Sequence, residues 1–360
     1  MRGRSPGIVV PYNRRVLLLP RTTSWLGAGA LATALAGLGC ASPPASTEIA
    51  GPTMGARYSV KIAGEPLSPA ELRRVRARVE TRLTSVDALF SNWRDDSELA
   101  RFNRHPAGQP FAASPETVAV FAAARRVHDL SGGAFDVTVA PLARAWGFGP
   151  GPALPATPSE ERLAALRPAV DQALVRLDVR AGTLTRARSD VECDLSAIAP
   201  GYAADGLIED LAALGYRDAL VDVGGELRAV GRRADGKAWR VGLDSPAGGR
   251  LDVEVPLRDA ALATSGDYRN AWLDERGGRR GHVLDPRTLR PVDHALAAVT
   301  VVRPSAAEAD GLATALFVLG PQAGRTLAER EGWAALFVIR TARDGLAIEA
   351  TPAFAALTGS

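Results

Sequence analysis

The chain has 360 residues, 46% of them apolar and 23% charged, with 36 Gly and 25 Pro, which excludes a peptide hormone, a disulfide knot and a low-complexity polymer. It is long enough for one large domain or two packed lobes around a real core. The formal net charge of +3 does not mark a nucleic-acid binder, because Arg2, Arg4, Arg14, Arg15 and Arg21 lie in an acid-free first 40 residues, leaving 38 of the 43 basic residues against all 40 acidic ones in the rest.

The chain opens on export grammar: five arginines, then an uncharged run from Thr22 to Thr47 containing the apolar stretch Trp25 to Leu38. That stretch is short of the roughly 20 residues a permanent membrane helix needs. Cys40 follows in Gly37-Leu38-Gly39-Cys40, and Ala41-Ser42-Pro43-Pro44 reads as a tether. The pattern resembles a bacterial lipoprotein signal with Gly37 where Leu is usual. It implies a chain lipid-anchored through Cys40 on the periplasmic side of the inner membrane. Cleavage by ordinary signal peptidase, giving a soluble periplasmic protein, is the alternative. The expected organisation is a signal over 1–40, a flexible tether over 41–50 and a folded domain over 51–360. Cys193 is the one other cysteine and reads as a small buried thiol.

In the folded part, Thr53 to Ile62 has strand character, and Ser68-Pro69-Ala70-Glu71 forms a capping box opening a helix to about Leu89. Ser114-Pro115-Glu116 opens a second helix to about Leu130. Gly147 to Pro158 is the densest Gly/Pro stretch and reads as loop. A helix over Ala203 to Leu214 precedes a strand at Ala219–Val223 leading into Gly224-Gly225, which is either a ligand approach or, on the simpler reading, a tight turn. Strands follow at Leu227–Val230, Trp239–Leu243, Leu251–Val255 and Ala297–Val302. Ser305-Ala306-Ala307-Glu308 is another capping box, its helix stopping at Gly320 before a last strand over Trp333 to Arg340. Strands and helices mix without a βαβ beat, so the fold class is α+β, or irregular α/β, in two packed lobes.

No dinucleotide fingerprint, Walker loop or nucleophile elbow is present, and the four histidines have no zinc spacing. Asp310 and Thr314 stand one helical turn apart on one face, hard oxygen donors suited to Mg²⁺. The plainer reading is a carboxylate favouring the helix dipole and a hydroxyl bonded to a backbone carbonyl.

Seven segments in order give these residues context: Gly51-Pro52-Thr53-Met54-Gly55, Ser91 to Leu99 (SNWRDDSEL), Gly132 to Thr138 (GGAFDVT), Asp194 to Asp205 (DLSAIAPGYAAD), Ala263 to Tyr268 (ATSGDY), His282 to Thr288 (HVLDPRT) and Ala309 to Ala315 (ADGLATA). Over roughly Gly51 to Thr351 the chain resembles the ApbE family, the FAD:protein FMN transferases, whose fold is T-fold-like. The resemblance implies a periplasmic enzyme that takes FAD as substrate and uses Mg²⁺. It attaches FMN by a phosphoester to a Thr or Ser of an acceptor protein, such as a redox-pump subunit presenting an exposed motif, and releases AMP. It further implies that Asp310, Thr314 and the carbonyls of Ala197 and Ala313 are metal ligands. Met54, Trp93, Ala134, Phe135, Asp136, Asp194 and Leu284 would line the FAD site. His282 is the candidate base for the acceptor hydroxyl, or else a hydrogen-bond donor to phosphate. Trp93 and Phe135 stack on a ring system or pack in the core. Two departures stand out. Pro200 occupies a position where the family often has Lys, with Arg287 or another arginine as the substitute cation, and Leu289 replaces a turn Gly, which is expected to reshape that turn. Two other activities share the same site: a Mg²⁺-dependent FAD pyrophosphatase and a non-catalytic flavin-holding lipoprotein.

Overall fold

A computed structural model of the protein describes residues 46–150, 157–267, 271–273, 279–342 and 345–359. The leader with Cys40, residues 41–45 of the tether, the middle of the Gly/Pro loop and Tyr268 lie outside the described residues.

Eight strands form one sheet: β1 (Ser46–Thr53), β2 (Ala56–Ala63), β3 (Ala219–Val223), β4 (Glu226–Val230), β5 (Ala260–Gly266), β6 (Leu296–Arg303), β7 (Ala334–Arg340) and β8 (Leu346–Ala350). They lie side by side in chain order, and every neighbouring pair is antiparallel. This is the opposite of a doubly wound sheet, whose parallel strands need crossovers. The strand expected over Thr53–Ile62 is two strands. They are joined at Met54-Gly55, where both residues have positive φ (43° and 72°), the conformation a two-residue hairpin turn demands. β1 starts at Ser46, so the second half of the stretch read as tether is sheet. Gly224-Gly225 (φ 73° and 115°) is the equivalent turn between β3 and β4, and the turn reading holds there.

Between β2 and β3 the chain builds its helical side. Helix α1 (Pro69–Phe90) starts with the expected reciprocal Ser68/Glu71 capping box, and α2 (Pro115–Ser131) ends at left-handed Gly132. Helix α3 (Ala199–Ala213) and helix α4 (Ala306–Arg330) lie against one sheet face, with α1 and α2 packed on them. On that face Val60, Val221, Ala263, Val299 and Phe337 join a core with Ile198, Leu207, Leu312 and Phe317. Alternate strand residues Leu262, Val302 and Leu336 point the other way, onto the hairpin Trp239–Asp244/Arg250–Leu257 and Phe354 of the last helix. Both faces are therefore covered, which is why β6 is buried along seven of its eight residues.

Two details of α4 correct the expectation. Ser305 caps the helix by accepting from Glu308 N (3.3 Å), but Glu308 turns to Arg303 (2.8 Å) and the box is not reciprocal. The helix breaks at Gly320 (φ 79°, ψ −179°) and resumes at Pro321. Pro321 has no N–H to offer the carbonyl of Phe317 four residues back; His294 Nε2 lies 2.8 Å from that oxygen and supplies the missing donor. The described residues belong to one compact unit.

Candidate active site

The site is built where α3 crosses α4. A Cβ on Gly201 would sit 2.3 Å from the carbonyl oxygen of Ala306, so only glycine permits the two helices to approach this closely. Asp205, one turn along α3, accepts from Ala306 N (2.9 Å), Ala307 N (3.0 Å) and Ser305 Oγ (2.7 Å), and so caps α4 from outside. The crossing turns Asp310 inward. Its carboxylate is 6% exposed, and Oδ2 accepts from Gly201 N at 3.1 Å.

No described Lys, Arg or His pairs with Asp310, and burial pushes its carboxyl up to about 7 against a single favourable backbone hydrogen bond. Gly201 is the third residue of α3, where a helix N–H has no carbonyl partner of its own, and Asp310 satisfies it; among the described residues no backbone N–H donates to Ala197 O. One turn along α4, Thr314 Oγ1 lies 3.1 Å from Ser265 Oγ on β5, so its hydroxyl is tied to the sheet and not to a helix carbonyl. A buried carboxylate with no described counter-cation, with a Thr hydroxyl one helical turn on, is a pair of hard oxygen donors. It suits a divalent cation such as Mg²⁺ better than zinc.

The other predicted residues fall into two groups. Trp93 is 73% exposed, which rules out the core reading. Its loop is braced by Ser91 Oγ accepting from Trp93 N (3.2 Å) and by Arg94 pairing with Asp87 and Asp96, so the indole is held out to solvent. Met54 sits in its left-handed turn conformation, a strained placement for a non-glycine residue at the tip of a hairpin. His282 is half-buried with its ring centroid 6.5 Å from that of Phe148.

The second group is turned inward. Ala134 and Phe135 are buried, and Phe135 packs beside Gly311, the neighbour of Asp310. Asp136 is buried: its oxygens accept from Thr138 N (2.7 Å), Thr138 Oγ1 (2.6 Å) and Gln172 N (2.8 Å), and burial raises its pKa. Asp194 N donates to Val137 O (2.7 Å), and its carboxylate accepts from Ser196 N (2.7 Å), which holds the turn carrying Ala197. Leu284 lies in a separate apolar cluster with Leu142, Trp146 and Leu289.

A model of the ApbE family matches residues 54–337. The chain belongs to that family. It is 37% identical over 320 residues, 88% of this chain and 94% of the other, to the FAD:protein FMN transferase of Vibrio cholerae. It is 36% identical to that of Haemophilus influenzae over 91% of this chain and 96% of the other. Among solved structures it resembles the apo flavinyl transferase ApbE of Pseudomonas stutzeri (TM-score 0.80, 39% identity, 88% of this chain and 98% of that one).

Against the ApbE pattern, the two departures resolve differently. Pro200 is accommodated in the first turn of α3, where its missing N–H is of no consequence. Arg287 does not replace the absent Lys as a free cation, because its guanidinium is bidentate on Asp285 (Nε 2.9 Å, Nη2 2.8 Å). Leu289 keeps the left-handed conformation that glycine adopts readily (φ 62°), with its side chain 1% exposed and its carbonyl accepting from Trp146 Nε1 at 3.0 Å. The turn is held by packing in place of glycine. Sequence reasoning assigned no role to Gly201 or Ser265; a Gly after Pro at a helix start was the available signal for the first, and Ser265 had none beyond its segment.

Proposed function

We propose that the protein is a FAD:protein FMN transferase: it takes FAD, moves FMN to a Ser or Thr hydroxyl of an acceptor protein and releases AMP, using Mg²⁺. The observation that carries this reading is the buried carboxylate of Asp310, which no described cation neutralises, at the crossing of α3 and α4 in a chain of the ApbE family. Asp310, Thr314 and the carbonyls of Ala197 and Ala313 would hold the cation, which supplies charge neutralisation at the diphosphate. Trp93 offers an exposed indole face for stacking on a flavin or adenine ring. His282 takes the proton of the acceptor hydroxyl as its oxygen bonds to the FMN phosphorus and the bond to AMP breaks. Asp136 and Asp194 act from behind, fixing the turns that carry Phe135 and Ala197. Lipid attachment at Cys40 on the periplasmic side of the inner membrane would set the enzyme beside membrane-bound acceptors.

The test mixes the mature protein with FAD, MgCl₂ and an acceptor bearing an exposed Thr/Ser motif. Flavin fluorescence that survives denaturing electrophoresis, with one AMP released per flavin bound, is the expected result. AMP without bound flavin would identify a pyrophosphatase instead, and neither product would reject turnover altogether.

A further inference from the structure

The Gly/Pro-rich segment after Ala145 has an ordered beginning. The short helix Ala140–Ala145 ends on Trp146, and Gly147, with φ 80°, donates to Arg144 O (3.0 Å) while Phe148 N donates to Ala143 O (2.8 Å). These two bonds are a Schellman ending, in which the residue after the left-handed glycine is thrown back across the helix end. Here that residue is Phe148, and its ring meets His282 edge to face, centroids 6.5 Å apart at 69°. The segment on the far side of His282 stands on the same helix end. Leu284 and Leu289 pack with Leu142 and Trp146, and Trp146 Nε1 donates to Leu289 O. Among the described residues the Leu284–Asp285/Arg290–Pro291 hairpin pairs with itself and not with the main sheet; this cluster holds its Leu284 and Leu289 side, while Val283 is buried in the main core.

We propose that Phe148 is a positioning residue for His282: the Schellman turn at Gly147 aims its ring at the imidazole and restricts the orientation in which the histidine accepts a proton. This rests on the base role given to His282 above. A general base works only within hydrogen-bond reach of its proton, so an imidazole turned out of that orientation loses rate without loss of substrate binding. Aromatic edge-to-face pairing at this separation supplies the orientational preference, which an aliphatic side chain of similar bulk lacks.

The experiment uses the full mature chain with FAD, MgCl₂ and acceptor, and compares Phe148→Leu, Phe148→Tyr, His282→Ala and the double variant F148L/H282A. Phe148→Leu is expected to lower kcat at least five-fold with KM for FAD within two-fold, and Phe148→Tyr, which keeps the ring, to recover most of the rate. The double variant should be no slower than His282→Ala alone. In the NMR spectrum of metal-free protein, the His282 Cε1–H resonance should move in Phe148→Leu as the ring current is lost. A smaller fall in kcat, or a double variant slower than His282→Ala by the full Phe148→Leu factor, overturns the proposal. His282→Ala with unchanged kcat overturns the base reading itself, a separate failure.

Discussion

Replacing Asp310 by Asn should stabilise the metal-free protein while abolishing turnover. In the folded chain burial holds the Asp310 carboxyl near pKa 7, against 3.8 for an ordinary aspartate. Three units at 1.36 kcal/mol each amount to about 4 kcal/mol by which the ionised form is disfavoured in the fold at high pH. Asparagine has nearly the same shape and can accept from Gly201 N as the carboxylate does, but its amide N–H groups need a partner at a cost of about 1–3 kcal/mol. The net gain is then roughly 1–3 kcal/mol, a rise of several degrees in Tm for a chain this size. The sign follows from the raised pKa. Asp310 favours folding while protonated, and this contribution is full below about pH 4 and is lost as pH rises through 7. The Asn variant should therefore lie at or below the parent near pH 4.5, gain on it progressively up to about pH 7 and keep a constant margin above that, measured by thermal melts in EDTA across pH 4.5–8.5. Saturating MgCl₂ should raise the Tm of the parent and leave the variant unmoved. A variant less stable than the parent at pH 8 in EDTA, or a difference independent of pH, would refute the argument that Asp310 is a buried charge awaiting a cation.

Trp93→Ala should leave Tm within a degree or two, because the indole is exposed, and weaken FAD binding by about ten-fold or more through loss of stacking; a thermal melt checks the first half and calorimetric titration with FAD the second. Gly201→Ala places a methyl 2.3 Å from Ala306 O and should destabilise by about 3 kcal/mol or more in urea unfolding, since backbone on both helices has to move. Leu289→Gly relieves about 1 kcal/mol of left-handed strain but empties a packed site, for a net loss of roughly 2–3 kcal/mol by the same measurement. An unchanged midpoint in either variant would contradict the packing assigned there.

The capping signals at Ser68 and Ser114 mark the starts of α1 and α2 in the sequence because a cap is a local bond, complete within four residues. The break at Gly320-Pro321 is legible for the same reason, although the helix resumes because His294, 23 residues upstream of Phe317, supplies the lost donor. Order in the sheet is not local. β3, β4, β6 and β7 read as strands in the sequence and β5 and β8 do not, and the arrangement of all six in chain order rests on pairings between distant segments that no window of sequence records. The same limit applies at the site. Asp310 and Thr314 are conspicuous by spacing, whereas Gly201, 109 residues from Asp310, becomes a partner only when α3 and α4 cross. Asp136 illustrates the converse. A motif resemblance assigns it to the ligand, and no spacing in the sequence shows that the same carboxylate also holds a turn through Thr138 and Gln172.

The crossing of α3 and α4 also explains how a fold tolerates an unpaired buried carboxylate. An isolated charge on a loop would relax toward water, and the site would lose its affinity for a cation along with its strain. Here the loop solution is closed off twice. Asp205 ties the first turn of α4 to α3 through three hydrogen bonds, and Gly201 lets the helices approach until Asp310 has a backbone N–H and little else. Ser265 anchors Thr314 to the sheet one turn further on. The carboxylate cannot escape without separating two helices that bury Leu207, Leu312 and Phe317 in the main core. Stability taken from that core keeps the carboxylate and the hydroxyl in place before any ligand arrives, so the dication proposed for this site would relieve a destabilised group and would not have to order a flexible one.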